Sequence, residues 1–283
     1  EIYMSHLEIV TDIANEYQRV TEQTLLTRPA VYIQGGEKPV GTHKAIVNEL
    51  GDPIAVVGIN YNLVQNADIM PEFHKVILSS TLDRTGMTKT IQQSHHGAKT
   101  IVTYTFPAHE IEIADGDSVQ LRIMVLNSYD GSWKFLSMVG AVRIACMNGQ
   151  VVVDAFSNYN AKHTSSLDTD VAVAKLETAL EVYTKNAEVW KSYPKSPVTN
   201  LQATRIFKQV AGKSERLEAL LEETYIKYVD QMGSNLWAVF NTLTDWSSHA
   251  KFKNEANKVA TIYNREAKVR KVIPMLNELR LAA

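Results

Sequence analysis

Between residues 87 and 146 the chain reads as short runs of alternating apolar and polar positions, separated by turn-forming residues. Alternation with a period of two is typical of half-buried β-strands, and β-branched and aromatic side chains fill these runs. The predicted strands cover residues 89–93, 100–113, 119–126 and 134–146. Turns at residues 95–97, 115–117 and 129–131 join them. Connections this short join antiparallel neighbours, because a parallel crossover needs a dozen or more residues. The pattern therefore predicts an antiparallel β-meander of about four strands.

Elsewhere apolar positions recur every three or four residues, which is the period of an amphipathic helix. This spacing predicts an N-terminal helix over residues 5–27, a helix over 69–79 and a long helix over 169–190, directly after the meander. Thr42 can cap a further helix that runs to about residue 50. Short strands are predicted over residues 31–33 and 54–64, and Gly35 ends the first of them.

Pro194 and Pro197 separate this part of the chain from an all-helical end. The helices predicted there cover residues 201–210, 214–232, 235–250 and 254–281. We therefore predict an α+β protein in which an antiparallel β-meander of about four strands is followed by a long helix. In this prediction residues 1–193 form the α+β core with its N-terminal helix, and residues 198–283 form a C-terminal helical bundle.

The composition fits a chain with a sizeable core, since 45% of its 283 residues are hydrophobic. The formal net charge of −2 means that contact with nucleic acid requires a local basic surface. The single cysteine, Cys146, excludes an internal disulfide, and no apolar run reaches the roughly 20 residues that cross a bilayer. The first residues also lack the basic and apolar regions of a signal peptide. We expect a cytoplasmic protein with no membrane partner.

Motifs of enzymes and metal sites are not found in the sequence. His95 and His96 are adjacent, and adjacent side chains on a strand point to opposite faces, so we expect no metal site there. Cys146 lies in an apolar run, and a cysteine in such a run is usually buried and unreactive. Gly35, Gly36 and Gly41 lack the Lys-Ser/Thr ending of a phosphate loop. We expect no catalytic residue, no cofactor and no enzymatic activity.

Basic residues are spread through the successive strands of the meander, interleaved with aromatic residues. Sequence-independent binding of single strands requires such a surface, because cations neutralise phosphates and rings stack on bases. An ordinary sheet with one wet face carries similar residues without binding nucleic acid. The candidate nucleic-acid-binding residues are Lys89, Lys99, Arg122, Lys134, Arg143, Lys162, His163, Tyr129 and Trp133.

The last predicted helix, together with the few residues before it, carries a local excess of positive charge. Its basic residues can meet phosphate, or they can pair with the acidic helix around residues 215–223. They are Lys251, Lys253, Lys258, Arg265, Lys268, Arg270, Lys271 and Arg280.

Several short motifs resemble those of family 932 of domains of unknown function, which is found in phages and plasmids. The motifs are VQNADI (64–69), GMTKT (86–90), NSYDG (127–131), RIACMNG (143–149) and KH (162–163). The resemblance covers roughly residues 28–245. This chain has Tyr129 where the family often has His, and Met147 where it often has Ser. The resemblance implies a fold and a phage or mobile-element context, and it implies no activity.

A β-meander followed by a long helix, with a basic and aromatic-bearing sheet, is similar to the core of phage single-strand annealing proteins such as the Red beta and Erf recombinases. Members of that group assemble into rings or helical filaments and hold a strand with its bases exposed. The similarity implies a non-catalytic phage protein that binds or anneals single-stranded DNA in replication or recombination. It also implies a homo-oligomer in the cytoplasm of the host cell.

Two other interpretations stay open. The near-neutral charge and the many amphipathic helices also fit an oligomeric phage structural or host-interaction protein that binds no nucleic acid. An enzyme requires a pocket in which His163, Asp130 and Asn148 come together. Strand-borne cations that converge on one face favour nucleic acid, whereas scattered or neutralised cations favour the interaction protein. The carboxylates placed to neutralise them are Glu110, Glu112, Asp115 and Asp117.

Overall fold

The fold comes from a computed structural model, which describes residue 17 and residues 19–27, 38–145, 149–151, 159–161 and 169–282. Within these residues the chain forms two antiparallel β-sheets and six α-helices. The predicted class, α+β with antiparallel strands, is confirmed. The arrangement differs from the predicted one, because a separate sheet precedes the meander and further strands extend it.

A three-stranded antiparallel sheet lies at the beginning of the described chain. It contains β1 (Thr21–Thr27), β2 (Lys38–Val47) and β3 (Pro53–Gly58), in that order. Ile46 of β2 and Val57 of β3 pack with Tyr129, which belongs to the second sheet region. The small sheet is therefore joined to the rest of the molecule through a shared apolar cluster.

Two helix predictions are wrong in this part of the chain. Residues 21–27, the end of the predicted N-terminal helix, form β1, and residues 42–47, the start of the helix predicted at Thr42, belong to β2. Both segments are rich in β-branched residues, which suit strands, and pairing them also forms the ion pair between Lys44 and Glu22 at 2.8 Å. Residues 5–16 of the predicted helix and the strand predicted over 31–33 lie outside the described residues.

The second sheet contains the meander. Four long strands follow one another as antiparallel neighbours: β4 (Thr88–Ser94), β5 (Lys99–Ala114), β6 (Asp117–Ser128) and β7 (Phe135–Arg143). Two short strands, β8 (Gly149–Val151) and β9 (Tyr159–Ala161), both pair with β7. The β4–β5 turn holds His95 and His96 at φ values of 55° and 56°. Non-glycine residues adopt this left-handed conformation at a cost of about 1–2 kcal/mol each.

The six helices begin close to where the hydrophobic periodicity places them, apart from the two predictions corrected above. They are α1 (Asn66–Ser79), α2 (Thr169–Ser192), α3 (Asn200–Ala211), α4 (Glu215–Met232), α5 (Leu236–His249) and α6 (Lys258–Ala282). Polar caps fix several of these starts. The side chains of Thr199, Ser214 and Asn235 accept hydrogen bonds from the first turns of α3, α4 and α5, respectively.

Helices cover both faces of the second sheet. On one face, Tyr104 and Ile123 belong to a cluster that includes side chains of α1 and α2. The Tyr183 hydroxyl of α2 donates to two carbonyls of the sheet region at 2.9 and 2.8 Å. On the other face, Met124 packs in a cluster with Val259 and Tyr263 of α6. The sheet is therefore the middle of three layers.

One cluster of buried side chains runs from the sheet into the C-terminal helices. Phe240 of α5 stacks on Trp190 of α2 at a centroid distance of 5.9 Å, and Tyr193 meets it edge-on at 5.8 Å. Tyr193 lies at the boundary between the predicted units 1–193 and 198–283. That division stays a prediction, while the packed core continues across it.

Candidate nucleic-acid interface

The cations singled out in the meander lie on both faces of the sheet. Residues that pair directly across strands point to the same face. Lys89 pairs with Tyr104 and therefore projects toward α1 and α2, as Arg143 does. Lys99 and Arg122 project toward α6. The fold thus distributes these side chains instead of gathering them in one groove.

Arg143 takes part in a buried ion pair that joins the sheet to α5. Its guanidinium donates to Asp117 at 2.6 Å from Nε and at 2.7 Å from Nη2. The indole of Trp237 donates to the same carboxylate at 2.8 Å, and the Tyr228 ring lies 5.9 Å from the guanidinium carbon. Only 7% of Arg143 is exposed. A phosphate in solution reaches it only if the surrounding structure opens.

Arg122 is held in a similar way by α6. Its guanidinium donates to Glu266 at 3.0 Å, and Glu266 is 1% exposed. Gly149, the last residue of the RIACMNG motif, packs directly on this pair. A Cβ atom at Gly149 would lie 2.6 Å from Glu266 Oε1 and 2.7 Å from Arg122 Nη1. A side chain at position 149 would therefore have to displace the ends of the Arg122 and Glu266 side chains.

Lys99, Trp133 and Lys134 lie at the turn end of the meander. Lys99 Nζ is 3.5 Å from Asp130 and 5.3 Å from the centre of the Trp133 ring. The Trp133 ring also packs on Tyr263 of α6 at 4.9 Å. Lys134 is exposed to solvent. This end of the sheet presents cationic and aromatic groups together.

Tyr129 is an interior residue. It is 2% exposed, and its hydroxyl accepts a hydrogen bond from the backbone N–H of Asn66 at 3.0 Å. Burial raises its pKa to about 12. Asn127 donates to the Asn66 side chain at 2.8 Å, and Asn66 donates to Thr100 at 2.9 Å. The residues of two family motifs thus form a buried polar network that joins α1 to the second sheet.

Three residues of the predicted nucleic-acid-binding set remain: Lys89, Lys162 and His163. Lys89 Nζ lies 5.8 Å from the ring of Tyr17, next to buried His74. Lys162 and His163 lie outside the described residues, as do Cys146 and Asn148. The structure therefore brings together Lys99, Trp133 and Lys134 and keeps the other described cations apart.

A pocket of about 840 Å³ lies among the start of α4, the end of α5 and the start of α6. Its lining includes four cationic side chains and several apolar ones, and contains no carboxylate. We call it the basic pocket, and its main lining residues are Arg216, Leu220, Trp246, Lys251, Lys253 and Arg265.

Arg265 fixes the shape of the basic pocket. Its guanidinium donates to the carbonyls of Trp246, Ala250 and Lys251 at 3.3, 2.7 and 3.0 Å. It also lies 4.7 Å from the centre of the Phe252 ring and 5.6 Å from that of Trp246. Burial lowers the pKa of Arg265, which still stays cationic near neutral pH because the ordinary value for arginine is so high. Arg265 thereby ties the end of α5 and the segment after it to α6.

The basic pocket adjoins the turn end of the meander. Asn257, which lines the pocket, accepts a hydrogen bond from the His95 N–H at 3.1 Å. Burial lowers the pKa of His95, and nearby Lys99 lowers it further. The sequence did not predict this pocket, although the Lys-Phe-Lys run at residues 251–253 indicated one part of its basic lining. Arg216 gave no signal, because only helix packing brings it to that run.

Metal and membrane features are not seen in the described part of the chain. No group of His, Cys, Asp or Glu side chains there is arranged to hold a metal ion. No helix within the described ranges is both long and apolar enough to span a membrane.

The geometry defines an α+β protein with a helix-covered antiparallel sheet and a basic pocket beside one end of that sheet. Residues 53–272 match the model of the family described as a domain of unknown function (DUF932), and the chain belongs to this family. The family predicted from the motifs is therefore confirmed. No curated protein and no solved structure matches the chain, so the predicted similarity to annealing recombinases has no support from these comparisons.

Proposed function

We propose that this chain binds single-stranded nucleic acid through the basic pocket and the adjoining turn end of the meander. In this proposal it is a non-catalytic phage protein that binds or anneals single-stranded DNA in replication or recombination. Assembly into homo-oligomeric rings or filaments and action in the host cytoplasm are parts of the same proposal.

One observation carries the proposal: the basic pocket groups four cations with apolar and aromatic side chains and has no carboxylate in its lining. Nucleic acid offers phosphates for the cations and bases for the apolar surface. A local basic surface is compatible with the net charge of −2 of the whole chain, because the electrostatic potential at a surface depends mainly on the charges close to it.

The residues predicted in the meander take two roles in this proposal. Lys134 and Trp133 extend the interface at the turn end, where Lys99 is paired with Asp130. Arg122 and Arg143 support the fold through their buried ion pairs.

Fluorescence anisotropy with labelled single-stranded and double-stranded oligonucleotides, over a range of salt, tests the proposal. We expect preference for the single strand and a steep loss of affinity with salt. A K251A/K253A double variant should flatten the slope of log affinity against log salt by about 0.7 per lost phosphate contact, or about 1.4 in all. The matched control is K195A/K227A, which removes two exposed lysines from outside the pocket.

The proposal fails if neither oligonucleotide binds at low salt. It also fails if the two double variants lose affinity equally, because a non-specific charge effect would then account for binding.

A second function is favoured by the ion pairs of the sheet. Arg122 and Arg143 are neutralised by Glu266 and Asp117, and they project to opposite faces. An oligomeric structural or host-interaction protein needs no exposed cations on its sheet. If no oligonucleotide binds, this function becomes the leading one, and proteins of the host become the partners to seek.

A further inference from the structure

We infer that the basic pocket holds one nucleotide unit, with the phosphate against Arg216, Lys251 and Lys253 and the base against an apolar wall. The inference rests on the proposed function and adds to it the ligand unit and its orientation. It also applies to a free nucleotide, which carries the same chemistry as a nucleotide within a strand.

The phosphate end follows from the charges. Arg216, Lys251 and Lys253 are exposed, and among the described residues none of them forms an ion pair. Glu218, in the first turn of α4, pairs instead with Lys208 at 3.5 Å, outside the pocket lining. Cations held together without an opposite charge repel one another, and a bound anion relieves that repulsion.

The base end follows from the apolar wall. Leu217, Leu220 and Phe252 line the same pocket as the cations, and Leu220 is 41% exposed. Inorganic phosphate would use only the cations and leave this wall in contact with water. A ligand with a phosphate and a flat, weakly polar ring system covers both surfaces.

The size of the pocket agrees with such a ligand. Its volume of about 840 Å³ lies within the range of roughly 300–1,000 Å³ that is usual for small-molecule sites. A bare anion fills a minor part of this space.

Arg265 acts as a positioning residue for the site. It lies over the rings of Phe252 and Trp246 and donates three of its five N–H groups to backbone carbonyls. Those contacts hold the segment that carries Lys251 and Lys253 in place. A site whose cations are fixed before binding loses less conformational entropy when the ligand arrives.

A strand has a path out of the pocket. Asn257 joins the lining to the His95 turn, and the exposed Lys134 lies at that end of the meander. A phosphate that neighbours the bound unit can therefore meet a further cation, Lys134, which a free nucleotide cannot do.

Calorimetric titration with thymidine monophosphate, thymidine and inorganic phosphate, together with competition against a labelled oligothymidylate, tests the inference. We expect the monophosphate to bind more tightly than either thymidine or phosphate and to displace the oligonucleotide. A Leu220→Ser variant should weaken monophosphate binding by about fivefold, because part of the apolar contact is lost. Ile226→Ser is the matched control, since Ile226 is 61% exposed on the same helix and lies outside the pocket lining.

The outcomes separate the inference from the proposed function. If oligonucleotides bind but the monophosphate neither binds nor competes, the nucleotide site is wrong and the proposed function stands. If the monophosphate binds and oligonucleotides do not, the site is right and its ligand is a free nucleotide. Inorganic phosphate that binds as tightly as the monophosphate, or polyglutamate that competes as well as oligothymidylate, would overturn the nucleotide assignment.

Discussion

Lowering the pH from 7 to 5 should destabilise this protein through His74. The imidazole is 4% exposed, its Nδ1 lies 3.2 Å from the Tyr104 hydroxyl, and the two rings stack at 5.6 Å. Nε2 is buried and forms no hydrogen bond with any described residue. Burial, together with the smaller effect of the Lys89 charge, lowers the pKa of His74 from 6.5 to about 4. The folded protein therefore favours neutral His74.

The magnitude follows from the two pKa values. In the unfolded chain His74 gains its proton below about pH 6.5, whereas in the folded chain it does so only near pH 4. The folded state binds fewer protons in this window, so the stability present above pH 6.5 is lost as the pH falls toward 4. Between pH 7 and pH 5 the loss amounts to about 2 kcal/mol, which is an order-of-magnitude figure.

Urea unfolding at both pH values measures this effect, with His74→Phe as the perturbation. Phenylalanine keeps a ring on Tyr104 and removes the titrating group, so the variant should lose about 2 kcal/mol less than the wild type between pH 7 and pH 5. Contributions of other titrating groups cancel in this difference. Equal losses in the wild type and His74→Phe would refute the argument.

Three further changes test the fold by urea unfolding. Asp117→Ala leaves Arg143 buried without its carboxylate and should cost about 3–5 kcal/mol; a loss below about 1 kcal/mol would show that the pair is not structural. Gly149→Ala forces the ends of the Glu266 and Arg122 side chains to shift and should cost about 1–3 kcal/mol by disturbing their ion pair; an unchanged midpoint would show that the pair accommodates the methyl group. His96→Gly removes a side chain from a left-handed position and should stabilise the protein by about 1 kcal/mol, and destabilisation would mean that the imidazole has a role in the turn.

The parts of the fold that the sequence predicts well are those specified by neighbouring residues. Asp130 and Gly131 mark the turn between β6 and β7, and Ser214 and Asn235 mark the first turns of α4 and α5. Each signal acts over a few residues, so it is visible without the rest of the chain. Residues 21–27 form a strand because β2 pairs with them, and that partner begins eleven positions beyond the end of β1. Helical periodicity in such a segment is overridden by the pairing.

The candidate site was harder to predict, because its contacts join residues that lie far apart in the sequence. Arg143 and Asp117 are 26 residues apart, and Arg122 and Glu266 are 144 residues apart. No local pattern shows that these cations are neutralised. Likewise, the packing of α4 against α5 brings Arg216 next to Lys251 and Lys253. The composition of the last helix indicated a basic surface, and only the tertiary structure indicates which residues share a pocket.

The covering of both sheet faces by helices determines how this protein can meet a polyanion. Met124 and Tyr104 lie under α6 and α1, and no residue of the central strands β6 and β7 is exposed, so side chains of the meander reach solvent along the edge strand β4, at strand ends and at turns. An extended groove across the sheet would require those helices to separate, at the cost of two buried clusters. A triple alanine variant of Lys134, Arg143 and Lys162 would therefore lose affinity for a trivial reason, because it also breaks the Arg143 ion pair. The lysines at the rim of the basic pocket can be removed without that loss of stability, so a binding defect in K251A/K253A reports on the interface itself.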